Sequence, residues 1–64
     1  MIKLTKILDI IEKDSKITIC DTTGNIIFDG ICKKLPRELC KNAVVSNMEY
    51  SNIGMEYIIT VVYI

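Results

Sequence analysis

The segment EYIITVVYI, residues 56–64, constrains the fold most, because its last eight residues hold one polar side chain, Thr60. A strand with one wet face alternates apolar and polar residues. Here Tyr57, Ile59, Val61 and Tyr63 point one way, and Ile58, Thr60, Val62 and Ile64 the other. Both sets are predominantly apolar, so the strand needs cover on two sides. Two arrangements supply it. The sheet curls until two hairpins pack face to face as a small barrel or sandwich, or a second copy of the chain covers the free face or pairs with the strand edge. The run 57–64 has no charge, lysine or proline, the residues that guard an edge against pairing.

The remaining elements follow from spacing. Leu4, Ile7, Leu8 and Ile11 recur at i, i+3, i+4 and i+7, one stripe of an amphipathic helix, with Thr5 as the expected cap and Ile10 off the stripe. KITIC alternates Ile17 and Ile19 with Thr18 and Cys20, and DTTGN then predicts a hairpin turn with Gly24 at positive φ. Two registers are open. A three-residue loop pairs Asp21 with Asn25 and sets Phe28 beside Thr18 and Cys20. A four-residue loop sets Phe28 with Ile17 and Ile19, which gathers the larger apolar groups and is the register favoured here. Pro36 starts a short helix over 36–41, with Leu35, Leu39 and Cys40 inward and Asn42 as a left-handed cap. AVVSNMEY is a third strand, SNIG a turn and MEYIITVVYI a fourth strand. The expected fold is α+β: one domain over 1–64, with an antiparallel sheet of about four strands in two hairpins, an N-terminal helix and a short connecting helix.

Composition narrows the function. Half of the residues are apolar, which is generous for 64 residues and points to a dense core or to apolar surface that meets another chain. Eight basic and eight acidic residues cancel, so no long-range field draws the chain to nucleic acid or an anionic membrane. There is no histidine, the commonest general base, and no phosphate-loop, nucleophile-elbow or zinc-protease motif, so enzymatic activity is not expected. Cys20, Cys32 and Cys40 are widely spaced, without the paired ligands of a zinc site. They read as small buried hydrophobes in a reducing, cytoplasmic setting, and no cofactor is expected. The charged N-terminal stretch is no secretory segment, and 57–64 is too short for a membrane-spanning helix. Tyr50, Tyr57 and Tyr63 suit half-exposed strand positions as well as interfaces.

The layout ILDIIEKDSKITICDTTGNIIFDG followed by KKLPRELCKNAVVSN resembles short uncharacterised proteins of low-GC Gram-positive bacteria, often encoded in prophages or other mobile elements. That resemblance implies an accessory role and no transferable activity. The expectation is a non-enzymatic interaction or structural module that associates with itself, a dimer being favoured, or with another protein. Its surface is Tyr57, Ile58, Ile59, Val62 and Ile64 of the last strand. The alternative is a nucleic-acid-associated regulator, in which Lys33, Lys34, Arg37 and Lys41 contact phosphate.

Overall fold

In the computed structural model, which describes residues 2–64, the last strand lies inside the sheet and not at its edge. The elements are β1 (Ile2–Lys3), α1 (Leu4–Ile10), β2 (Lys16–Cys20), β3 (Ile26–Ile31), β4 (Ala43–Ser51) and β5 (Glu56–Tyr63). Two 3-10 turns, Cys32–Lys34 and Arg37–Cys40, connect β3 to β4. The strands order as β1-β4-β5-β2-β3 in one five-stranded sheet. The two hairpins pair antiparallel within themselves and join through a parallel pairing of β2 with β5. The α+β architecture thus stands, with a mixed and mostly antiparallel sheet.

This order covers the two sides of β5 unequally and without a curled barrel. On its first side, Ile59 and Val61 join Ile17, Ile19, Leu4, Ile11, Leu35 and the two thiols of Cys32 and Cys40 in one buried cluster. The helix and the 3-10 turns therefore cover this side together. On its second side, Ile58 and Val62 are half-buried and Ile64 is exposed. Strand neighbours shelter these residues in place of a second layer: Val44 lies opposite Val62, and Glu49 and Thr18 flank Ile58. The cover expected on this side is therefore not supplied by a curled sheet: lateral neighbours bring Ile58 and Val62 only to half-burial, and no layer among the described residues lies over them.

The helical stripe appears as the spacing requires, with Leu4 and Ile11 buried, Ile7 and Leu8 half-buried and Ile10 in solvent. Thr5 does not cap it. The N-cap is Lys3, with no side-chain cap bond, because the chain enters α1 directly from β1, whose Lys3 is paired with Val44. The connecting helix over 36–41 is a 3-10 turn instead. Pro36 is its extended N-cap, and its bonds run from Leu39 N to Pro36 O (3.1 Å) and from Lys41 N to Glu38 O (3.4 Å). So short a piece gains little from the wider α geometry. Asn42 then takes φ +61, the left-handed position expected of it.

The β2–β3 hairpin combines features of both sequence registers. Its loop has three residues: Asp21 N donates to Asn25 O (3.0 Å) and Gly24 N to Asp21 O (3.1 Å), with Gly24 at φ +91. Phe28 nevertheless faces the core opposite Ile19, because a bulge between Ile19 and Cys20 gives β3 one extra residue. Its ring lies over Gly30, where an added Cβ would sit 3.2 Å from the ring tip. The bulge reconciles the turn chemistry of Asp21 and Gly24 with burial of the large aromatic.

Candidate interaction site

The helical layer is too short for the sheet beneath it. α1 has seven residues, about 10 Å at 1.5 Å per residue, while β4 has nine, about 30 Å. The end of the sheet that carries the β4–β5 turn is therefore left bare on its core side. There Ile10, Glu12, Ser15, Tyr50, Met55 and Tyr57 line an open notch of about 490 Å3. Tyr50 and Tyr57, opposite each other across β4 and β5, meet edge to face with ring centroids 5.0 Å apart. Such a pair is worth about 0.5–1.5 kcal/mol beyond its area and makes a rigid floor.

The walls and rim are unusually apolar for solvent-facing positions. Ile10 is 76 % exposed, Met55 72 % and Tyr50 49 %, and Ile53, in the adjoining turn, is 100 % exposed. The loop spans residues 52–55, with Ser51 paired to Glu56, so it starts and ends one residue later than SNIG suggests. Ser51 Oγ accepts from Gly54 N (3.1 Å). The left-handed position falls on Met55, at φ +52, and not on Gly54 beside it. Glycine or asparagine is the usual occupant of such a position.

The five residues expected to form one surface are divided by the sheet. Ile59 is fully buried and Tyr57 half-buried on the helix side, whereas Ile58, Val62 and Ile64 are on the other. Alternation along a strand makes that division unavoidable once one side is core. Only Tyr57 reaches the notch. Ile10 and Ile53 carry a sequence signal, as apolar residues where an amphipathic helix and a turn call for polar ones; Met55 carries none, because the spacing assigns it to the fourth strand.

The expected cations are also divided. Lys33, ion-paired with Asp14 at 3.0 Å, lines a recess of about 160 Å3 with Arg37 and Lys13, above Cys32 and Cys40. Lys41 lines a different recess, with Lys3 and Ile64. Among the described residues, no three cysteine, aspartate or glutamate side chains converge as metal ligands.

The thiols behave as core groups. Burial pushes Cys32 and Cys40 above the usual thiol value of 9.0, against smaller opposing pulls from Lys13 and Arg37 respectively. Burial likewise raises Tyr63, whose hydroxyl donates to Leu39 O (2.7 Å). Cys20 is half-buried, with its sulfur 3.5 Å from Thr60 Oγ1. In native protein a disulfide reagent is expected to modify Cys20, while Cys32 and Cys40 react at least about a hundredfold more slowly, at the rate of opening. Mapping the modified peptides checks the order, and early labelling of Cys40 contradicts it. A raised acid pKa stabilises the fold below the unfolded value and loses that contribution as pH rises through the folded one. Unfolding midpoints should therefore hold to about pH 8 and fall above 9.0, less steeply in Cys32→Ala and Cys40→Ala than in the parent.

No family model, curated protein or solved structure matches this chain. Among the described residues, no helix is long and apolar enough to cross a membrane.

Proposed function

We propose that this chain is a small non-enzymatic interaction module that self-associates through its C-terminal hairpin. The observation that carries the reading is the bare notch at the hairpin tip, with exposed Ile10 and Met55 on its walls, half-open Tyr50 in its floor and Ile53 beside it. Aromatic residues and methionine are the groups enriched at the buried centres of interfaces. Scattered single hydrophobes are ordinary on a surface, but four at one end of so small a chain form a patch. The zero net charge leaves no long-range repulsion between copies. An accessory role of this kind also suits the resemblance to short mobile-element proteins.

Light scattering over a concentration series tests the reading. The expected mass rises from one chain toward two between about 10 μM and 1 mM, the range for a modest apolar contact. The ring resonances of Tyr50 and Tyr57 should shift in parallel. A mass fixed at one chain throughout removes the reading.

A further inference from the structure

Resting on the self-association proposed above, the geometry points to a two-fold dimer in which Ile53 of each copy fills the notch of the other. Three observations support this occupant. The first is shape. Ile53 is an isoleucine wholly in solvent at the crest of a turn, where polar residues are usual. The notch beside it is roomy enough for a branched aliphatic side chain and floored by two tyrosine rings. Knob and notch belong to the same end of the same hairpin, so a two-fold axis beside that end lets each copy give and receive. Such an isologous contact is complete at two copies.

The second observation is charge. Among the described residues, Glu12 is the only charged one that lines the notch. The side chains of the entering turn, residues 51–55, are uncharged, so the Ile53 knob itself sets no charge against that carboxylate. Glu56, next in sequence, accepts the Thr18 hydroxyl at 2.6 Å through one carboxylate oxygen, and its other oxygen lies beside Gly54.

The third is the backbone at Met55. The chain holds a long side chain at φ +52 with a glycine available one residue earlier, and thereby keeps a thioether on the notch wall. Backbone strain of this kind persists where the side chain has a use. The area agrees with a real but modest dimer. Covering Ile10, Tyr50, Ile53 and Met55 takes roughly 500 Å2 from each copy, about 1,000 Å2 together, below the standard range and in the class of weak, transient contacts.

Two variants separate the partners of this contact. Ile53→Ser removes the knob from a side chain that supports nothing in its own fold. Met55→Gly removes the notch wall and relieves the left-handed backbone, so it folds at least as well as the parent. Sedimentation from about 10 μM to 1 mM should show each variant dissociating at least about a hundredfold more readily than the parent. An equimolar mixture regains one intact knob and notch, and so associates more tightly than either variant alone. If both variants dimerise as the parent does, the Ile53 contact is overturned while self-association stands. If the variants weaken but their mixture is no tighter than either, reciprocal insertion is overturned. If the parent itself stays monomeric, both readings fall.

Discussion

Ile59→Ala is expected to cost about 2–5 kcal/mol, and Ile58→Ala about 1 kcal/mol or less. The two residues are adjacent in the most apolar stretch of the chain, so composition and propensity give no reason to separate them. Their surroundings do. Ile59 sits among Ile17, Ile19, Leu4 and Val61 with no exposure, opposite Ile19 on one side and Met48 on the other. Truncation there leaves a cavity that close-packed neighbours fill only in part. Ile58 faces the side without a helical layer, and water replaces most of what the truncation removes. A chain of 64 residues has roughly 3–10 kcal/mol in total, so the first change alone approaches global unfolding. Urea titrations of the two variants measure the contrast. Equal losses would mean that both sides of β5 are packed alike, and the one-sided cover of the sheet would be wrong.

Gly24→Ala is expected to cost about 1–2 kcal/mol through the backbone alone. Gly24 holds φ +91, and an added Cβ would meet nothing within 4 Å, so no clash contributes. The loop around it is otherwise firmly specified. The Asp21 carboxylate accepts from the backbone N–H of Thr23 (2.9 Å) and Asn25 (3.0 Å), the Thr23 hydroxyl (2.7 Å) and the Asn25 amide (3.2 Å). These bonds, the Thr23 hydroxyl foremost, hold Asp21 below the usual carboxylate value of 3.8. A lowered pKa stabilises above the unfolded value and is lost as pH falls through the folded one, so the loop weakens only in strong acid. Gly24→Asn should cost about half as much as alanine, since asparagine tolerates the left-handed region. Equal stability of Gly24→Ala and parent, by the same titrations, would contradict the strained geometry.

Local features of this fold were legible in the sequence because local physics decides them. The stripe Leu4, Ile7, Leu8, Ile11, the turn from Asp21 with Gly24 at positive φ, and the left-handed Asn42 each depend on residues a few positions apart. What stayed hidden is non-local. The parallel pairing of β2 with β5 joins residues forty apart, as Cys20 and Thr60 show, and no spacing rule reports it. The bulge at β3 arises from competition between turn geometry and the burial of Phe28, which a pattern of alternation cannot weigh. The same holds for the site. Ile10 and Ile53 were visible as misplaced apolar residues, but only the shortness of α1 against β4 brings them to one notch with Tyr50 and Tyr57.

The parallel seam between β2 and β5 also governs cooperativity. Each hairpin can zip from its own turn within microseconds, yet neither owns an interior. Leu4, Ile17 and Ile19 come from the first half of the chain, and Ala43, Ile59 and Val61 from the second. Until the halves dock, each presents one greasy flank and little to hold it. Equilibrium melting should accordingly be all-or-none, with no half-folded species between the native sheet and the open coil.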